Sequence, residues 1–213
     1  MQKYIYLSFL FIAASLSSRS QIKQESWLLG GDFTFTSNTS NQPAGTPYSN
    51  QNSSFSITPS FGKAIKDNLI LGFDLTYTHQ STTTVQPVPP DEMSTFDQYG
   101  AGVFMREYKT LGSNFSLFLQ ERVGGSFSKI TNTNSTDARS VAFTLGLSPG
   151  VAYSVSRRLQ LETGFQNLLY ANYAHTRIGN DPSAVKNSNF SIGTNLGYAF
   201  QNLIVGVRFL FGQ

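Results

Sequence analysis

Two histidines, with the serines and acids near them, are the residues of this sequence best suited to catalysis. His79 precedes Ser81 by two positions, and His175 precedes Asp181 by six. A serine hydrolase needs a histidine, a serine and an acid within hydrogen-bonding reach of one another. Serine is so frequent here that its spacing to a histidine carries little information, and a lone histidine among polar residues is usually solvated. We therefore predict no catalytic residues and no enzyme activity.

Neighbouring carboxylates form a second candidate site. Asp91 and Glu92 follow a proline-rich stretch, and adjacent carboxylates are ligands that suit a divalent cation. The sequence has no cysteine, which excludes disulfides, thiolate metal sites and cysteine nucleophiles. Adjacent acids in a polar connection are more often ordinary surface charges, so we predict neither a metal site nor a cofactor.

A third group of charged residues lies within segments where apolar and polar side chains alternate. Three acids and three arginines share the polar phase of these segments: Asp32, Asp74, Glu162, Arg106, Arg122 and Arg208. Buried charges are tolerated only when they are paired and hydrogen-bonded. The equal numbers predict a packed polar network of structural importance inside the fold.

The alternating segments predict β-strands that are apolar on one face. The clearest is at the end of the chain, where Leu203, Val205, Val207, Phe209 and Phe211 share one face. Eight such segments occur, at about residues 26–37, 53–63, 69–78, 98–106, 115–128, 141–153, 159–173 and 188–211. Each is long enough to span a membrane as a tilted strand, which needs about 9–11 residues.

The connections between these segments alternate in length. Four are long and polar, at residues 38–52, 81–94, 129–137 and 174–187, and three are short, at residues 64–68, 108–113 and 154–158. This asymmetry predicts an all-β, eight-stranded antiparallel up-and-down transmembrane barrel, with its long loops at one end. A soluble barrel of the same strand number would need more charge on its exterior than 13% charged residues supply.

Three irregularities interrupt the alternation. The phase is lost around Asn167 and Leu168, and it shifts by one residue at Gln201 and Asn202, where we predict a bulge. A turn at the second place would instead divide the last segment and give an odd strand number, which such barrels avoid. Glu121 falls in the apolar phase, which predicts either a nearby bulge or a position at the membrane interface.

The amino-terminal residues predict a secretory signal peptide. Lys3 is followed by an apolar run at residues 4–16 and by small residues, with Ser18 and Ser20 placed for cleavage before Gln21. The run is too short to span a bilayer as a helix. We therefore assign residues 1–20 to the signal and residues 21–213 to one barrel domain, whose small net charge and lack of a basic patch predict no nucleic-acid binding.

The chain resembles the small outer membrane β-barrel or porin-family proteins of Bacteroidetes, and more distantly the OmpX and OmpA barrels. The resemblance rests on the sequence of residues 147–153, on Arg157-Arg158-Leu159-Gln160-Leu161-Glu162, and on residues 206–211. Proteins of this family often end on an aromatic residue that the barrel-assembly machinery recognises, whereas here Gly212 and Gln213 follow Phe211. The resemblance implies a location in the outer membrane.

Three functions are open for such a barrel, because the fold does not determine the activity. The first is a structural or surface-interaction role through four extracellular loops, with a lumen filled by side chains. The others are a narrow porin-like channel and, less favoured, a lipid-modifying enzyme. The expected partners are outer membrane lipids, lipopolysaccharide, the barrel-assembly machinery and an unknown extracellular ligand.

Overall fold

A computed structural model describes residues 22–41, 49–85, 92–112, 114–133, 136–179, 184–196 and 203–212. Within these ranges the regular structure is almost entirely antiparallel β-strand. The strands are β1 (Trp27–Asn41), β2 (Ser49–Lys66), β3 (Leu69–Val85), β4 (Glu92–Thr110), β5 (Phe115–Asn132), β6 (Ala138–Ser154), β7 (Leu159–Phe165), β8 (Leu169–Ile178), β9 (Val185–Thr194) and β10 (Leu203–Phe211). In the described part of the chain, no helix is long and apolar enough to cross a membrane, a finding that does not concern β-barrels.

These ten strands occupy eight strand positions around a closed antiparallel barrel, and each position is called a stave below. Consecutive strands from β1 to β6 pair in order, β7 and β8 both pair with β6, and β10 closes the barrel between β1 and β7. The closure pairs residues 27–33 of β1 with residues 205–211 of β10. β7 and β8 are therefore two parts of the seventh stave, and β9 and β10 are two parts of the eighth. The predicted eight-stranded antiparallel barrel is confirmed.

The seventh stave is interrupted where the sequence alternation is lost. Gly150 of β6 pairs with Gly164, whereas Leu147 pairs with Leu169, so the stave carries two more residues than its neighbour over this interval. The backbone of Asn167 has a φ of 47°, in the left-handed region that asparagine tolerates. Its backbone amide donates to the hydroxyl of Ser148 at 2.9 Å, which fixes the extra residues against β6.

The eighth stave also changes phase. Phe190 and Ile192 of β9 are exposed, as are Leu203 and Val205 of β10, so the outward positions change from even to odd numbers between the two strands. Gln201 and Asn202, where we predict the bulge, lie outside the described residues, as do the signal peptide and its cleavage bond before Gln21. Those three predictions stay predictions.

The strands extend much further into the polar segments than the sequence indicates. Residues predicted as loop continue the hydrogen-bonded ladders: β1 reaches Asn41, β2 begins at Ser49, and β3 reaches Val85. The predicted loop boundaries were wrong because a strand with polar side chains on both faces shows no apolar alternation. Threonine favours β-strands all the same. Cross-strand bonds such as Thr84 to Asn50, at 2.7 Å, connect these extensions.

Glu121 faces outward without any bulge. β5 keeps an unbroken register with both neighbours over residues 115–132, and Glu121 lies opposite Met105 and Leu147. Of the two alternatives predicted for Glu121, the nearby bulge is therefore excluded, and a position at the membrane interface stays a prediction.

The three short connections lie at one end of the barrel, as predicted. The tightest is Asp67-Asn68, between β2 and β3, where Asn68 has a φ of 62°. The others join β4 to β5 and β6 to β7. Trp27, the first residue of β1, and Phe211, the last residue of β10, pair with each other and lie at this same end of the barrel.

The outer face of the barrel is apolar. Many large apolar side chains on it are more than half exposed, among them Phe33, Phe73, Leu75, Val103, Val123, Phe143, Leu145 and Val205. Soluble monomers rarely expose contiguous apolar surface on this scale. Aromatic side chains pack near the end with short connections, as Trp27 does on Phe61 at 5.2 Å between ring centroids and Phe115 on Tyr153 at 4.9 Å. This surface suits a lipid environment with an aromatic girdle.

We expect the folded barrel to resist dodecyl sulfate at room temperature, because the described strands are hydrogen-bonded to one another in one sheet that closes between β1 and β10. Unboiled and boiled samples should migrate differently on a gel, and the protein should fractionate with membranes. Recovery in the soluble periplasmic fraction, with no heat-dependent shift, would contradict the membrane assignment.

Candidate functional site

Four of the six predicted charged residues form one buried cluster inside the barrel. Nη1 of Arg106 lies 2.6 Å from Oε2 of Glu162, and Nε of Arg208 lies 3.2 Å from the same oxygen. Nη2 of Arg208 also lies 2.5 Å from Oδ1 of Asp32. The side chains of both arginines are almost completely buried, at 2% and 0% exposure. The cluster joins β4, β7, β10 and β1 across the lumen.

The remaining two predicted residues form a second ion pair beside this cluster. Nε of Arg122 lies 2.8 Å from Oδ2 of Asp74, and Nη2 lies 2.6 Å from Oδ1, so the guanidinium binds the carboxylate through two nitrogens. Such bidentate pairs are strong and directional. A Cβ at Gly102 or Gly124 would approach the Arg122 guanidinium to 2.7 Å or 2.5 Å, so both glycines leave the space that it occupies.

Tyr108 belongs to the cluster, although the sequence pattern placed it in a connection. Its hydroxyl donates to Oε1 of Glu162 at 2.6 Å, and Arg106 places its guanidinium 4.7 Å from the centroid of the Phe118 ring. The prediction of a connection at Tyr108 was wrong, because this residue continues the inward phase of Phe104 and Arg106. That continued alternation was the signal available in the sequence.

The lumen below the charged cluster is closed by apolar side chains. Six of them, here called the apolar plug, are buried toward the end with short connections: Ile22, Leu28, Ile70, Tyr108, Phe118 and Leu210. Ile22 precedes β1, and its carbonyl accepts from the Asn68 amide at 2.9 Å, so the segment before β1 folds beneath the opening. This end of the lumen is therefore filled by apolar side chains, whereas the charged side chains lie above it.

Above the charged cluster, the lumen widens into a polar cavity of about 370 Å³. Its walls carry mostly short hydroxyl side chains, including Thr34, Ser56, Thr58, Thr76, Thr78, Ser126 and Thr144. Some of these hydroxyls bond each other across strands, as Ser56 does with Thr78 at 2.9 Å. Two arginines and two carboxylates line this cavity and balance in charge: Arg106, Arg122, Asp32 and Asp74.

The histidines lie on the outer surface of the barrel. Nδ1 of His79 lies 2.8 Å from Oδ1 of Asp97, and this hydrogen bond is the main reason that the pKa of the Asp97 carboxyl is lowered. No hydrogen bond within the described structure joins His79 to Ser81. His175 instead bonds the hydroxyl of Ser188 at 2.9 Å.

The other residues that the sequence offered for catalysis or metal binding remain apart from these contacts. Asp91 and Asp181 lie outside the described residues, and Glu92 is an exposed residue at the start of β4. The part of the chain that the structure describes contains no group of three or more histidine, aspartate or glutamate residues placed to hold a metal ion.

The fold, the apolar exterior and the balanced charged lumen define a membrane-spanning β-barrel. No family model and no curated protein matches the chain. Among solved structures, Neisserial surface protein A shares 20% identity at a TM-score of 0.45, covering 86% of this chain and 96% of that one. OprG from Pseudomonas aeruginosa shares 13% identity at 0.47, covering 92% and 100%.

A major outer membrane protein of Thermus thermophilus shares 11% identity at a TM-score of 0.41, covering 87% of this chain and 99% of that one. Similarities at this level leave the function to be argued from the chain itself. They do not bear on the Bacteroidetes group to which the sequence resemblance pointed, which stays a prediction.

Replacing Arg208 should destabilise the barrel strongly. In Arg208→Leu, Asp32 loses its arginine and Glu162 keeps only one of two, and breaking a buried ion pair from one side costs roughly 3–5 kcal/mol. The outward neighbour Val207 is the matched control, because Val207→Leu adds a methylene to a surface that faces lipid. Urea unfolding in detergent micelles should show a lower midpoint for Arg208→Leu alone, and equal midpoints would contradict the buried network.

Proposed function

We propose that this chain is an outer membrane β-barrel with a structural or surface-interaction role and a lumen that does not conduct. The apolar exterior supports insertion into a bilayer, and the predicted signal peptide supports export from the cytoplasm. In Gram-negative bacteria, these two properties together favour the outer membrane.

The closed lower lumen is the observation that carries this proposal. The charged cluster crosses the barrel from β4 to β7 and β10, and the apolar plug fills the space below it. An eight-stranded barrel has an interior just wide enough for side chains to fill. A permeating ion would have to displace both the balanced ion pairs and the apolar plug.

The polar strand extensions are the surface offered to partners outside the cell. The short connections and the paired strand ends Trp27 and Phe211 favour the periplasmic side for that end of the barrel. The opposite end, where β1 to β5 extend with threonine, serine and asparagine, then projects from the membrane. Loops carried on a rigid scaffold commonly provide binding surfaces.

The position of β10 supports the barrel-assembly machinery as a partner during insertion. β10 presents Phe209 and Phe211 outward at the periplasmic end, on the strand that closes the barrel against β1. An aromatic, outward-facing final strand is the feature that the resemblance associates with the barrel-assembly machinery. The proposal accordingly includes that machinery as the partner during insertion.

A narrow channel is the alternative favoured by the upper cavity. That cavity reaches down to the ion pairs, and the Arg122 side chain is still 18% exposed at its base. The buried plug beneath it opposes conduction. A lipid-modifying enzyme has the His79–Asp97 pair in its favour, but no serine hydroxyl bonds that histidine in the described structure.

Planar-bilayer recording tests the closed lumen. The parent protein should show negligible single-channel conductance, because charged and apolar layers both block the lower barrel. Val207→Leu, which changes only the outer surface, should behave in the same way. A stable ohmic current from the parent, with ion selectivity altered by Arg208→Leu, would make the channel the better hypothesis.

Labelling in intact cells tests the orientation, and the absence of native cysteine makes single-cysteine variants unambiguous. Thr133, just beyond β5, and Arg157, between β6 and β7, are both exposed but lie at opposite ends of the barrel. A membrane-impermeant maleimide should label Thr133→Cys in intact cells, and it should label Arg157→Cys only after permeabilisation. The reverse pattern would invert the proposed orientation.

A further inference from the structure

Four basic side chains form a continuous row on the outer surface of the barrel. The register places Lys129 of β5 opposite Arg139 of β6, Arg139 opposite Arg177 of β8, and Arg177 opposite Lys186 of β9. All four residues are exposed, and they share the outward face with the apolar positions of their strands. They are called the basic row below. The row has no signature in the sequence, because the four residues are spread over 58 positions of the chain.

Like charges in directly opposed cross-strand positions repel each other and destabilise a sheet. At one end of the row this repulsion is relieved, because Lys129 lies opposite Asp97 and its Nζ is 3.9 Å from the Asp137 carboxylate. Arg139 and Lys186, in contrast, form no ion pair with any described carboxylate. Arg139 and Lys186 therefore concentrate positive charge that an external anion would stabilise.

The basic row begins directly above the apolar surface. On β5, Lys129 is two residues beyond the outward Phe127, and on β6, Arg139 is two residues before the outward Val141. On β8, Arg177 is four residues beyond the outward Tyr173. The basic side chains thus occupy the region where lipid hydrocarbon gives way to headgroups.

The stagger of the barrel determines how the row crosses that region. The line of paired residues that begins at Phe33 and passes through β2, β3 and β4 ends at Phe127 of β5. The line that leaves Phe33 in the other direction, through β10, β7 and β6, ends at Leu117 of the same strand. The two endpoints lie ten residues apart. A hydrogen-bonded row therefore rises toward the extracellular rim by about 3 Å per strand. Lys129 lies nearest the apolar surface, and Lys186 lies farthest into the headgroup layer.

We infer that the basic row binds the headgroup of a multiply charged anionic lipid, through phosphate groups anchored at the membrane surface. Guanidinium groups bind phosphate oxygens in a bidentate manner, and lysine adds a point charge. Because the four basic side chains lie at different depths of the headgroup layer, they suit a headgroup with more than one phosphate. The phosphorylated glycolipid of an outer leaflet has such a headgroup. This inference rests on the proposed outer membrane location, and it assigns the residues that would contact lipopolysaccharide.

Lipid retention on the full-length barrel tests the site. The protein, in nanodiscs of phosphatidylcholine, is titrated with bisphosphorylated lipid A and with its dephosphorylated form, and bound lipid is counted by native mass spectrometry. A Lys or Arg near a membrane surface contributes about fivefold to anionic-lipid affinity. The triple variant Arg139→Gln, Arg177→Gln and Lys186→Gln should therefore bind the phosphorylated lipid about 100-fold more weakly.

The matched control removes the same charge from the opposite end of the barrel. Lys66, Arg157 and Arg158 are exposed beside the short connections, so their replacement by Gln changes the net charge equally. Both leaflets of the nanodisc hold the same lipids, so both ends of the barrel meet them. The control variant should bind the phosphorylated lipid with the affinity of the parent. Neither the parent nor the control variant should retain the dephosphorylated lipid above background.

The possible results separate the two proposals. Failure of the parent to enter nanodiscs, with no heat-dependent gel shift, would overturn the membrane location itself. An inserted parent that does not prefer phosphorylated lipid would overturn the lipid site alone, and so would equal losses in the triple and control variants. Displacement of the lipid by inorganic phosphate at equal concentration would show a soluble-anion site and would also overturn the assignment to a lipid headgroup.

Discussion

Glu162 is the buried carboxylate on which the closure of the barrel depends. It lies between Arg106 and Arg208 and accepts a hydrogen bond from Tyr108, so one side chain connects β7 to β4 across the lumen and to β10 beside it. A charge buried in this way is stable only while its partners are present. The closing strand β10 supplies Arg208, which means that the network is complete only when the barrel has closed.

This network also divides the barrel into parts with different physical roles. Below it, the apolar plug fills the lumen with buried side chains. Above it, hydroxyl side chains line a cavity that continues into the polar strand extensions. The apolar exterior spans the same region from outside, so the barrel is stabilised by lipid around it and by ion pairs within it.

Several features could be predicted from sequence because they depend on local alternation. A strand with one face in lipid repeats its apolar residues every two positions, and this pattern predicted the strand number, the short connections and the six charged residues. Strand ends were predicted poorly, because residues 38–41 and 81–84 carry polar side chains on both faces. The apolar plug was not predicted, because the sequence does not distinguish a leucine that points into the barrel, such as Leu28, from one that points outward.

The sequence by itself determined which residues share a face, since side chains on a strand alternate regardless of what the strand pairs with. Which faces meet was decided only by the tertiary structure. The pairing of Arg208 with both Asp32 and Glu162 depends on the stagger of a closed barrel, and so does the alignment of Lys129, Arg139, Arg177 and Lys186. Register between strands distant in sequence is set by the packing and closure of the whole sheet, and these have no local signature.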